Sequence, residues 1–459
     1  MKTNLIIVKA AFLCYACVGV GFASARGGNT AGEGKMMDTV VCKSDPSQSY
    51  ALYIPAVGNK NALPVVYFFD SHAAGALPLR KYRSLADTYG FILIGSNNSK
   101  NGNDWAATEN IWRHLSDDTR SRLKINLNRI YTCGFSGGAK VAGYIALKYP
   151  GVKGVIANGA GLPDETAPAD FPFSFTAIAG EGDMNLTDLV AFNAGLDNTR
   201  TRHRLIRFDG KHGWAPESTM NMAFAGLQFD AMRTALIPKD NTFISQYIAK
   251  SNARLEAYSQ SGQWIKAGQE CGLSINFLDG LTDEVSRFKR NAASLATNPL
   301  YRRQLQAQDA LLVTEQNTKA GYAQHFQQDD PGYWMKTIKD LQAKAGVRST
   351  ESQMYQRLLA YLSLVFYSFS NHLINSNENI EATHFVDLYK MVDPTNSEAW
   401  YFSAILHARS GQAQATENDL LRAAVTGFKD KDRMLRQPEF KNLPHPINFS
   451  RIEGRMGSK

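Results

Sequence analysis

The segment that most constrains this chain is Arg129-Ile-Tyr-Thr-Cys-Gly134-Phe135-Ser136-Gly137-Gly138-Ala139. Its pattern predicts a short strand from Ile130 to Cys133, then Gly-x-Ser-x-Gly, then a helix start. A serine on such a turn stands clear of the backbone in a strained conformation. Side chains on its neighbours would clash, so glycines flank it. The helix that follows brings unpaired N–H groups and a positive dipole end to the same spot, where an oxyanion would be stabilised. The pentapeptide alone also fits an ordinary strand-to-helix turn. The decisive question is whether an acid and a base follow in suitable places.

A serine hydroxyl needs a histidine to take its proton, and that histidine needs an acid to fix its tautomer. Candidate acid Asp183 follows a predicted strand, Phe173 to Ala179, in the exit Gly180-Glu-Gly-Asp183-Met-Asn185. Glu181 is the nearby competitor, and a simple helix cap is the alternative role for Asp183. Candidate base His212 follows the last predicted strand, Arg204 to Phe208, in Asp209-Gly-Lys-His212-Gly-Trp214. Of the other histidines only His72 competes, because it also follows a predicted core strand, Val65 to Phe69. Oxyanion donors are expected from the Gly137 amide and from the loop Asp70-Ser71-His72-Ala73-Ala74-Gly75, with the Ser71 amide favoured. Trp214 and His72 are candidate substrate contacts. Trp105 and Trp112 are further candidate platforms, each with core packing as its alternative.

Strand-like and helix-like patches alternate from residue 38 to 237, which marks an α/β domain with a doubly wound, mostly parallel sheet. The segment 238–241 reads as a linker. From 242 to 430 helical periodicity dominates, giving an all-α region, and 431–459 reads as a tail. Within Asn396 to Phe428, the residues Trp400, Ala404, Gly411, Leu420 and Ala423 fall at tetratricopeptide-like positions, with Thr416 where a small residue is usual. Ser261-Gly262-Gln263 echoes the turn Ser410-Gly411-Gln412. An irregular bundle is the alternative. Ile452-Glu-Gly-Arg455 resembles a protease cleavage tag and equally fits a native ending.

Residues 1–25 read as a secretory leader. Lys2 and Lys9 are basic, Ala10 to Ala23 is apolar, and Ala23-Ser-Ala25 offers a small-x-small cleavage site. An uncleaved anchor is the alternative. Cleavage implies a periplasmic or secreted protein with no stable membrane span. It removes two of the eight excess positive charges and leaves no basic cluster interleaved with aromatics, which argues against a nucleic-acid partner. Cys42, Cys133 and Cys271 remain, enough for one disulfide and one leftover thiol. Cys133, on the predicted buried strand, is expected to be a packed free thiol, leaving Cys42 and Cys271 as the pair to test. No His/Cys spacing suggests a metal, and no cofactor motif is present.

Residues of about 38–237 resemble a small secreted α/β-hydrolase of the esterase type, akin to the polyhydroxybutyrate-depolymerase, feruloyl-esterase and dienelactone-hydrolase branches. Gly134-Phe-Ser-Gly-Gly138, Gly180-x-x-Asp183, Gly210-x-His212-Gly-Trp214 and Tyr50-Ala-Leu-Tyr-Ile-Pro55 carry the resemblance. It implies a serine esterase with a Ser136–His212–Asp183 triad acting on ester substrates. Little room remains for a lid, so acetyl or feruloyl groups on a polysaccharide carrier are the expected substrates. Many relatives have His-Gly after the oxyanion strand, whereas this chain has Asp70-Ser71. An inward-pointing Asp70 would repel a developing anion. Two other readings stand beside the esterase: a binding or scaffold protein that holds a protein partner on its helical repeats, and a peptidase of the same fold.

Overall fold

The computed structural model describes residues 32–57, 61–326, 331–347 and 349–456. The proposed leader, residues 1–25, lies outside the described residues. Among the described residues no helix is long and apolar enough to cross a membrane. The chain divides into two compact units, Met1–Ala310 and Leu311–Lys459.

The first unit is built on one eight-stranded sheet. Its strands are β1 (Met36–Val41), β2 (Ser49–Tyr53), β3 (Leu63–Phe69), β4 (Ile92–Ser96), β5 (Ile125–Phe135), β6 (Val152–Asn158), β7 (Ser174–Gly182) and β8 (His203–Lys211). They lie in the order β1-β2-β4-β3-β5-β6-β7-β8. β2 pairs antiparallel with both β1 and β4, and every other pairing is parallel. The continuous apolar run of β3 follows from burial on both faces. Val65, Tyr67 and Phe69 enter one core layer, while Val66 and Phe68 enter the other. Five helices flank the sheet: α1 (Ala76–Tyr89), α2 (Trp105–Arg122), α3 (Gly137–Lys148), α4 (Leu186–Leu196) and α5 (Glu217–Arg233). Asp104 caps α2 by accepting the Ala107 amide at 2.7 Å.

The change of character near residue 240 ends the sheet, but the compact unit continues through α6 (Asn241–Gln260), α7 (Trp264–Leu278) and α8 (Val285–Thr297). The reason is aromatic packing. Phe229 of α5 stacks on Phe277 at 5.4 Å and meets Phe243 and Tyr247 at 5.0 and 5.1 Å. The division between the units falls within α9 (Pro299–His325).

The second unit contains α10 (Pro331–Ala345), α11 (Ser352–Asn375), α12 (Asn379–Val392), α13 (Ser397–Arg409), α14 (Ala413–Thr426), α15 (Lys431–Arg436) and α16 (Phe449–Glu453). Its core includes Trp334 stacked on Phe326 at 4.3 Å and Tyr401 stacked on Phe428 at 4.5 Å. The segment read as a tail is folded: Met434, Phe440 and Ile452 are buried in this core. Thr416 is fully buried, and its hydroxyl donates back to the Gln412 carbonyl at 2.9 Å.

Among the described residues the same tight turn joins α6 to α7, α11 to α12 and α13 to α14, the next helix starting two residues after the left-handed position each time. Gly262, Asn377 and Gly411 have φ of 69°, 60° and 71°. In each, the residue after the left-handed position donates its amide to a carbonyl five residues back. The α11–α12 turn carries Asn377 rather than glycine. Asparagine tolerates the left-handed region, so the glycine signal in the sequence passed over it.

All three described cysteines are free and buried. The disulfide left open between Cys42 and Cys271 does not form, because the two thiols pack in different core clusters. Burial pushes both thiols up to about 11 and holds Cys133 well above the ordinary cysteine range.

Candidate active site

β5 ends at Phe135 and α3 begins at Gly137, so Ser136 alone makes the turn, with φ 55° and ψ −124°. A non-glycine residue there is strained. Both flanking glycines are sterically required. A Cβ at Gly134 would lie 1.9 Å from the Gly138 carbonyl oxygen, and one at Gly138 would lie 2.0 Å from that of Phe69. The start of α3 is thereby pressed against the end of β3, beside the Asp70–Gly75 loop.

Parallel strands β5, β6, β7 and β8 are consecutive neighbours, so the loops at their C-terminal ends meet along one edge. His212 Nε2 lies 3.0 Å from Ser136 Oγ. His212 Nδ1 lies 3.0 Å from each carboxylate oxygen of Asp183. A carboxylate only accepts, which sets the tautomer: Nδ1–H donates to Asp183, and the Ser136 hydroxyl donates to Nε2. Asp183 is fully buried and also accepts the Asn185 amide at 2.9 Å. The competing carboxylate, Glu181, accepts from Arg207 at 2.5 Å instead.

Several residues around this chain of contacts were not singled out in the sequence. Asn158 ends β6, fully buried. Its Nδ2 donates to the Gly213 carbonyl at 2.9 Å, and its Oδ1 accepts the Ala215 amide at 2.8 Å. Its own carbonyl accepts the Ser136 amide at 2.9 Å. One side chain thus ties the serine turn to the histidine loop. Gly159 follows with φ 70°. A Cβ there would lie 3.1 Å from Asp183 Oδ2 and from the Nδ1 and Cε1 of His212. Asn185 Nδ2 donates to the Gly159 carbonyl at 2.7 Å. The Phe135 ring packs on the His212 imidazole at 4.7 Å. The only sequence trace of this support is Asn158-Gly159 at the end of a short apolar strand.

The oxyanion candidates sit as follows. Gly137 opens α3, so its amide has no carbonyl partner within the helix. Ser71 is buried just beyond β3, and its carbonyl accepts the Asn101 amide at 2.9 Å. Asp70 does not point its charge at the serine turn. Its Oδ2 accepts the Trp214 indole N–H at 2.7 Å, and its Oδ1 accepts the His72 amide at 2.8 Å. Burial alone would raise its pKa, but the hydrogen bonds from His72 and Trp214 outweigh that and hold it below the usual carboxylate value.

The candidate substrate contacts separate. Trp214 is wedged among Phe68, Tyr82 and Phe135 at 5.6–6.0 Å, with its N–H occupied by Asp70. The His72 side chain is 80% exposed. Trp112 is a core residue, packed against Tyr67 at 4.9 Å, so it offers no platform. Trp105 is 42% exposed and stacks flat on Tyr144, at 4.2 Å and 13°. Among the described residues no group of three or more His, Cys, Asp or Glu side chains is placed to hold a metal ion.

No family model and no curated protein matches the chain. Solved structures similar to it include a fungal esterase from Rhizomucor miehei, at 14% identity over 42% of this chain and 83% of that one, with a TM-score of 0.36. Another is a ferulic acid esterase, at 15% identity over 43% of this chain and 97% of that one, with a TM-score of 0.34. A third is an S-formylglutathione hydrolase from Agrobacterium tumefaciens, at 17% identity over 40% of this chain and 90% of that one, with a TM-score of 0.30.

Proposed function

We propose that the chain is an exported serine hydrolase that cleaves carboxylic esters through an acyl-enzyme on Ser136. The observation that carries this reading is the unbroken run of 3.0 Å contacts from Ser136 Oγ through both nitrogens of His212 to Asp183, with the serine held at positive φ. Ser136 Oγ attacks the ester carbonyl carbon while His212 Nε2 takes its proton. The carbonyl oxygen becomes an oxyanion against the Gly137 and Ser71 amides. The imidazolium, held by Asp183, protonates the alkoxide as the C–O bond breaks, and the alcohol leaves. Water then gives a proton to Nε2 and attacks the acyl carbon. The serine oxygen departs with that proton, releasing the acid. The proposed substrates are acetyl or feruloyl esters on a polysaccharide. Residues 1–25 act as the export signal, and the recurring helical turns offer a surface for a protein partner.

The test uses folded full-length protein with a fluorophosphonate probe and 4-nitrophenyl acetate, beside the matching 4-nitroanilide. Wild type should be labelled and should prefer the ester, and Ser136→Ala should lose both activities. Turnover retained by Ser136→Ala would refute the assignment, and folded wild type that is neither labelled nor active would favour the scaffold reading.

A further inference from the structure

Helices α2 and α3 lie side by side and run in the same direction, as their contacts show in order. The Asn101 side chain, just before α2, covers Gly137: its Oδ1 lies 1.8 Å from where a Cβ of residue 137 would be. Asn101 therefore fills the space that a side chain following the nucleophile would take. Next along, Trp105 stacks on Tyr144. The Tyr144 hydroxyl then donates to Glu109 at 2.5 Å, and Lys148 pairs with the same carboxylate. Glu109 also lines a cleft of about 580 Å³ bounded by Asn110, Arg113, Arg120 and Tyr149.

Distances follow from helix geometry. Tyr144 is seven residues past Gly137, about 10 Å down α3, and Tyr149 about 18 Å. Helical aromatic side chains lean back toward the N-terminus, which brings the Tyr144–Trp105 stack nearer to Ser136. From these contacts we infer that the α2–α3 groove is a binding track for a linear oligosaccharide, with Trp105 as the platform for a sugar ring and Asn101 as the polar wall beside the cleaved ester. The chemistry selects a sugar over an aromatic acid. The indole is open rather than enclosed, so it lacks the apolar walls that grip an aromatic ligand. Its backing by Tyr144 keeps the plane fixed, so little ordering entropy opposes binding. A sugar presents C–H groups to such a face and hydroxyls to the Asn101, Glu109 and Arg113 rim.

The inference rests on the ester-hydrolase reading for what is cleaved, but binding can be tested without it. The probes are xylohexaose and xylobiose titrated into folded Ser136→Ala protein, and acetylated xylohexaose compared with 4-nitrophenyl acetate for active protein. Xylohexaose should bind more tightly than xylobiose. Adding Trp105→Ala should weaken xylohexaose binding about tenfold, and Trp105→Tyr should recover most of it. In active protein, Trp105→Ala should lower the ratio of kcat/KM for the oligosaccharide to that for the aryl ester by a similar factor, through KM. Absence of xylohexaose binding by Ser136→Ala, or a ratio and affinity unmoved by Trp105→Ala, would overturn the track. Wild type inactive on both esters yet binding xylohexaose through Trp105 would sink the hydrolase reading and leave the track standing.

Discussion

Gly159→Ala should damage catalysis far more than stability, although residue 159 reacts with nothing. At φ 70° an alanine costs about 1–2 kcal/mol in backbone strain. In a unit of this size that lowers Tm by only several degrees. The added methyl, however, would lie 3.1 Å from Asp183 Oδ2 and from the Nδ1 and Cε1 of His212. Ordinary contact begins at roughly 3.5 Å, so imidazole and carboxylate must give way by about 0.4 Å. Both of their bonds, now 3.0 Å, would stretch toward the edge of hydrogen-bonding range. Misplacement on the order of 1 Å costs about 100-fold in rate, so we expect kcat to fall roughly 10- to 100-fold. The assay is kcat on 4-nitrophenyl acetate and the rate of fluorophosphonate labelling, with Tm measured on the same samples. Wild-type kcat in a folded variant would refute the reasoning, as would a rate loss that merely follows a large fall in Tm.

Asn158→Ala strands the buried Ala215 amide, which costs about 1–3 kcal/mol, and removes the donor to the half-buried Gly213 carbonyl. Both Tm and labelling rate should fall, and unchanged thermal unfolding would show that the histidine loop is held otherwise. Asp70→Asn should lower stability at neutral pH. The folded pKa of Asp70 lies below its unfolded value of about 3.9. Its contribution is therefore complete above that value and vanishes as pH falls through the folded pKa. Denaturation from pH 7 down to pH 2 should show the wild-type advantage shrinking only below about pH 4, and an advantage constant across that range would contradict the assignment.

The α/β class was legible because burial on both faces writes continuous apolar runs, such as Val65 to Phe69, between glycine-rich loops. Ser136, Asp183 and His212 stood out for a related reason: each follows the C-terminal end of a strand, with glycines beside it. Platforms were not legible. Trp105 and Trp112 look alike in sequence and, seven residues apart, share nearly the same face of α2, yet Trp105 at the helix start is exposed and Trp112, about two turns on, is core. Nor was the helical register: Asn377 makes the same turn as Gly262 and Gly411 without the glycine that marks it.

What the chain alone determined is local: a serine forced onto a tight turn, and loops suited to an acid and a base. Tertiary structure decided everything that depends on neighbouring strands. The order β5-β6-β7-β8 brings residues 136, 183 and 212 together, inserts Asn158 and Gly159 among them, and turns Asp70 toward Trp214. Packing likewise puts Cys42 and Cys271 in different core clusters. The physical reason is that propensity and steric clash act within a few residues, whereas hydrogen bonds and packing between distant loops exist only once the sheet has fixed their places.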